Sequence, residues 1–287
     1  MSASSSLFRF VQVELPWPLG PPDGRYLVRA VDAAGAAPTH VLVFATLGAL
    51  ERRRLAGRRR QREAEPEPDP AEVATGRATI IDVGAPVDEA QARAWLTGAG
   101  EAELAAGLAV LNRALHSFRV ITADPYLGPV GRAQALVARI GFGAGEAVAE
   151  GRWAAARELT LPEGRRRRSR VLAPQARLAA LLGARESALA CEELTLRARS
   201  DVDQGRPREA ALQLLVALDA AVAELAAGAR TAELAGRLEE LRGQREPVAR
   251  AAQAALAGPL GEADAAAVAF ALGRVESALR AWTAAGA

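Results

Sequence analysis

Lysine is absent from the chain: all 36 basic residues are arginine. A guanidinium keeps its proton near neutrality, so Schiff-base chemistry has no amine to start from. The P-loop and protein-kinase signatures each place a lysine on phosphates, and neither is present in standard form. Cysteine is almost absent too. The single Cys191 excludes an intrachain disulfide and fits a reducing compartment. With only His40 and His116, and no CxxC or HExxH spacing, a zinc site would draw most of its ligands from carboxylates. Scattered Asp and Glu read equally as a solvated surface, so no metal or other cofactor is expected. No GxSxG elbow presents a serine nucleophile. No apolar run reaches the roughly 18 residues of a membrane helix. Residues 1–9 carry neither a basic nor an apolar signal segment, so a cytoplasmic protein without membrane contact is expected.

What is present is enough chain for one or two domains with real cores. Of 287 residues, 50% are apolar and 24% charged, which argues against wholesale disorder. The shortage of lysine beside abundant Ala, Arg, Gly and Pro reads as a coding bias, so arginine richness alone carries little functional weight.

The first half reads as β structure followed by helices. Leu7–Leu15 alternates apolar and polar residues and stops at Pro16-Trp17-Pro18. A Gly-Pro-Pro-Asp-Gly turn leads to a second run at Arg25–Val31, and His40–Thr46 and Ala78–Val83 supply two more. Short connections favour antiparallel pairing among the first three. Residues 51–75 differ in composition. Seven arginines between Arg52 and Arg62 precede a tract in which proline alternates with Glu or Asp, which reads as a disordered insertion. Helical spacing follows at Val87–Leu96 and Ala102–Phe118. Gly131–Ile140 fits a short strand or a helix equally. Arg152–Leu159 is expected to be helical, anchored by Trp153.

A second basic run, Arg165, Arg166, Arg167, Arg168 and Arg170, marks the expected boundary. The fold class expected is an α+β N-terminal domain over residues 1–161, with a small, mainly antiparallel sheet. A basic linker at 162–172 leads to an all-α, Ala-rich, hairpin-built domain over 173–287. Four helices are expected there: Pro174 to Asp203, Pro207 to Ala227, Thr231 to Leu256 with a kink or break near Pro247, and Glu262 to Thr283. On the last, Val268, Leu272, Val275, Leu279 and Trp282 step by four, three, four and three. That heptad-like seam serves either a partner or the internal core. The stretch Asp203-Gln204-Gly205-Arg206, followed by Glu209-Ala210-Ala211 and Leu214 to Leu218, is similar to one tetratricopeptide-type helix pair over Ser187 to Ala223. An ordinary helical hairpin accounts for the same residues, and no second copy occurs at the repeat spacing.

Three functions are weighed. A non-enzymatic interaction or scaffold protein, contacting a protein partner or a second copy through its helical domain, fits best. Nucleic-acid association would use the arginine runs at 52–62 and 165–170 to hold phosphates. Against it, residues 1–172 carry 23 Arg and 19 acidic residues and residues 173–287 carry 13 and 15, so neither half is broadly basic. An enzyme would centre on His116 and Asp124, with Asn112, Arg119 and Tyr126 nearby and an anion loop at Gly141–Gly145. His116 reads more simply as a capping or surface residue, the Gly141–Gly145 stretch as a structural turn, and Cys191 as a small core residue.

Overall fold

The computed structural model describes residues 6–30, 36–48, 73–84, 86–160, 174–226 and 231–284. The arginine run and acidic proline tract at 52–70, and the basic run at 165–170, lie outside them. The chain divides into two compact units, Met1–Gly164 and Arg165–Ala287.

The first unit is a six-stranded sheet with two helices laid across one face. Its strands are β1 (Leu7–Leu15), β2 (Gly24–Val28), β3 (His40–Leu47), β4 (Thr75–Asp82), β5 (Val137–Ala144) and β6 (Ala155–Glu158). Their order is β2-β3-β4-β1-β5-β6, and every neighbouring pair is antiparallel. The longest strand, β1, sits centrally and is buried along most of its length, consistent with its run of Phe and Val. Side chains alternate between faces. Val11, Val13 and Leu15 of β1, with Leu42, Phe44, Ile80 and Ile140, face the helices; Phe10, Val41 and Ile81 face the other way toward Val148.

The helices are α1 (Glu89–Gly98) and α2 (Glu101–Thr122). Asp88 caps α1 by accepting from the Gln91 amide while the Gln91 side chain accepts from the Asp88 amide, a reciprocal capping box. In α2, Leu104, Leu108, Leu111 and Leu115 form the apolar stripe that covers the sheet. Gly107 lies in that stripe because a Cβ there would fall 2.8 Å from Val11 Cβ, so helix backbone meets strand side chain directly.

Three expectations about this unit are overturned. The first strand does not pair with the second; β2 pairs with β3, and β1 lies between β4 and β5. Residues 155–158 of the expected Arg152–Leu159 helix form edge strand β6, paired with β5 from Arg139↔Glu158 to Phe142↔Ala155. Alanine favours helix, but pairing with β5 overrides that propensity, and Arg157 reaches the carbonyls of Leu96 and Ala99. Nor do Gly141 and Gly143 belong to an anion loop. They are strand residues of β5, and Gly145–Glu150 is a 3-10 turn. A Cβ on Gly141 would sit 2.5 Å from the Ala155 carbonyl oxygen, and one on Gly143 would sit 2.6 Å from Val148 Cγ1. These glycines make room for neighbours rather than for an anion. The Gly131–Ile140 ambiguity resolves into a short 3-10 turn, Arg132–Gln134, and the start of β5.

The second unit comprises α3 (Pro174–Leu182), α4 (Ala190–Asp203), α5 (Pro207–Ala226), α6 (Ala232–Ala257) and α7 (Glu262–Ala284). Its core is largely Ala and Leu: Ala198, Ala210, Leu214, Leu218, Ala251, Leu272 and Val275 are all fully buried. Small residues at the contacts let the helix backbones approach closely. The expected single helix from Pro174 to Asp203 is two helices. Gly183 and Ala184, the latter left-handed at φ 52°, end α3. Glu224 of α5 then accepts the amides of Ala190 and Cys191, capping α4 from outside its own sequence. Of the kink or break expected near Pro247, the break does not occur, because α6 runs through it. The carbonyl that proline deprives of its donor belongs to Gly243, which is exposed and open to water.

Val268, Leu272 and Val275 of the heptad-like seam are buried in this core, with Leu279 and Trp282 packed against it. The seam is internal.

A groove beside the edge strand and a polar pocket beneath the helices

Strand β2 is the least covered part of the sheet. Arg25, Tyr26 and Leu27 are all exposed, Leu27 at 60%, and β2 pairs on one side only among the described residues. Tyr26 is nonetheless held in place. Its ring meets Phe44 edge-on at 5.6 Å and its hydroxyl donates to the Pro22 carbonyl. Between β2 and the C-terminal half of α2 lies a groove of about 400 Å³. Tyr26, Val28, Phe44, Phe118 and Ile121 give it an apolar lining, and Arg29 and Arg113 supply its charges. Ile121 is 78% exposed, and its neighbour Val120 is exposed as well. Arg113 donates to the Arg29 carbonyl at 2.7 Å, and Arg29 Nε donates to the Ala36 carbonyl. Neither guanidinium has a carboxylate partner among the described residues.

A second, smaller pocket of about 140 Å³ lies at one end of the helix-facing side. Strand register builds it: His40 of β3 pairs with Asp82 of β4, and Arg9 of β1 occupies the same face. Glu103 of α2 and Trp95 of α1 close it from above. Arg9 stacks its guanidinium on the Trp95 ring at 5.3 Å, and its buried Nε has no hydrogen-bond partner among the described residues. Both carboxylates are engaged by backbone amides, Asp82 by Gly84 and Glu103 by Gly100. The amides at Gly100 and Glu103 hold the Glu103 carboxyl below its usual range. Burial pushes the His40 imidazole below its ordinary value; Asp82 opposes this and the Arg113 charge adds to it. His40 Nδ1 shares a hydrogen bond with Thr39 Oγ1 at 3.0 Å. The result is a neutral imidazole in a mixed-charge pocket. No cluster of His, Cys, Asp and Glu among the described residues could hold a metal ion.

The sequence-derived candidates do not converge. His116 is half-buried on α2 and lines neither this pocket nor the groove. Asp124 lies beyond the end of α2, where its Oδ1 accepts from the Tyr126 amide. It lines a separate cavity of about 370 Å³ with Trp17, Tyr126 and Gln134, which also lacks His116. Asn112 plays a structural part, because its amide group exchanges two hydrogen bonds with the Val130 backbone at 2.7 and 2.9 Å and ties the following loop to α2. Cys191 is a buried thiol, pushed up to about 12 first by desolvation and then by Glu224, and so is inert as a nucleophile.

The groove and the Arg9–His40–Asp82 pocket were not found from sequence. The one available signal was Gly24–Val28, a short apolar strand following a proline-glycine turn, whose edge position depends on strand order. Comparison with known protein families, curated proteins and solved structures returns no match, for the tetratricopeptide-like pair or for the rest of the chain. Within the second unit, α4 and α5 form a hairpin turned at Gly205, which has φ 68°. No helix among the described residues is long and apolar enough to cross a membrane.

Proposed function

We propose that the protein is a non-enzymatic interaction protein whose contact surface is the groove beside β2. The observation that carries this reading is the exposure of Tyr26, Leu27, Val120 and Ile121 around an apolar groove at a one-sided strand. An edge strand flanked by exposed apolar side chains is a template for another chain, and proteins ordinarily blunt it. The heptad-like seam of α7 contributes stability to its own unit instead, because its central residues are core. Of the three cavities described, none is lined by both His116 and Asp124, so the groove supports an interaction protein better than an enzyme centred on that pair.

The test is site-specific photo-cross-linking in cells that make the protein. A photoreactive residue at Leu27 captures a discrete polypeptide, whereas one at Glu158 on the opposite sheet edge does not. The captured polypeptide, purified, rebinds the intact chain, and Ile121→Glu abolishes rebinding. Absence of any adduct at position 27 contradicts the proposal.

A further inference from the structure

Resting on that reading of the groove, we infer that its occupant is an extended peptide segment in which an Asp or Glu alternates with apolar residues. The segment's backbone adds to the edge of β2 that is unpaired among the described residues, and its carboxylate meets Arg113 and Arg29.

The charge at the groove sets the sign of the partner. Its two charged lining residues are both arginines, and no carboxylate lines it. Arg113 is half-buried, and among the described residues it has only a backbone carbonyl for a partner, so much of its five-donor fork is unspent. Asp23 accepts from the Thr46 amide and hydroxyl, Glu146 pairs with Arg25 and Asp82 accepts from the Gly84 amide, and none of the three forms an ion pair with Arg29 or Arg113. An arginine in that setting gains most from a bidentate carboxylate.

The shape of the groove selects an extended backbone. Strand addition satisfies the unpaired amides and carbonyls of an edge, and alternate side chains enter the adjoining pockets. Tyr26 and Val28 share the helix-facing side of β2, as their pairing with Leu42 and His40 shows, and they line the groove along with Leu27 and Arg29 of the same run. A period of two along β2 matches a period of two in the ligand. An α-helical ligand would leave the β2 edge unsatisfied.

The experiment uses the full chain and a fluorescent, end-blocked nonapeptide alternating valine and glutamate, read by anisotropy. The acidic peptide binds, and its counterpart alternating valine and lysine binds at least about tenfold more weakly. Arg113→Gln weakens the acidic peptide about tenfold, and Arg113→Lys, which keeps the charge and loses the fork, recovers part of that loss. Circular dichroism of both variants checks that the fold is retained. N-methylation of alternate peptide amides, which blocks strand pairing without altering the protein, abolishes binding on one of the two registers. Equal binding of the lysine peptide, or unchanged affinity in both Arg113 variants, overturns the charge assignment. Full binding of both N-methylated peptides overturns the strand assignment. Displacement of the peptide by an equal concentration of octanoate overturns the peptide assignment in favour of a small apolar carboxylate. If the adduct at Leu27 forms but the acidic peptide does not bind, this inference alone fails. If neither occurs, the contact surface itself is misplaced.

Discussion

The two units spend their apolar residues differently. In the second, helices α4 to α7 turn Ala and Leu inward until Leu214, Leu218, Leu241 and Leu272 have no exposed surface, and its exposed apolar residues, among them Leu182, Leu196, Val216 and Leu256, line none of the three cavities described. In the first, the core is equally dry under α1 and α2, yet β2 and the end of α2 leave Tyr26, Leu27 and Ile121 in solvent. The lesson is that regular periodicity marks where a fold closes on itself. In the proposed reading, a surface for another chain lies where exposed apolar residues meet at a groove.

The largest expected effect tests the closed side of that comparison. Leu214→Ala opens a cavity in a fully buried site and costs about 2–5 kcal/mol in urea unfolding followed at 222 nm. Gly141→Val tests the first unit's core. Its new side chain meets the Ala155 carbonyl and the Phe10 ring, at a cost of about 1–3 kcal/mol. Glu224→Gln removes the charge that caps α4 and lowers stability by about 1 kcal/mol, seen as an earlier thermal midpoint. Leu27→Ser, on the open side, shifts stability by less than about 0.5 kcal/mol while weakening rebinding of the captured polypeptide.

Acid sensitivity separates the units by another route. The folded protein holds His40 below its ordinary value of 6.5, chiefly through burial, so the unfolded chain takes up that proton first. The contribution of His40 is complete above pH 6.5 and falls away as pH drops toward the lowered folded value. His40→Gln flattens that part of the stability–pH curve. A variant curve that keeps the full slope would assign the dependence to other groups.

The sequence was most legible where one rule acted alone. Four strands, α1, α2 and the helices around Leu214, Leu238 and Leu272 are where alternation and helical spacing place them. The antiparallel pairing of β2 with β3 follows the same local logic. Errors arose where a distant group decided the outcome. Strand β1 left its neighbour in sequence for β4 and β5, residues 155–158 became a strand because β5 offered a ladder, and Ala190 became a helix start because Glu224 reached it from α5. The glycines at 141 and 143 looked like a loop because their neighbours, Ala155 and Val148, lie across the fold. The cavities follow the same rule. Arg9, His40 and Asp82 are far apart in sequence and meet only through strand register, whereas His116 and Asp124 are close in sequence and share none of the three cavities described.

The most direct test of the contrast places one photoreactive residue at Leu27 and, in a separate protein, one at Phe270, an exposed aromatic of α7. Adducts of defined mass at position 27 and none at position 270 are the predicted result. Capture confined to position 270 would mean that the helical unit carries the contact and that the β2 groove does not.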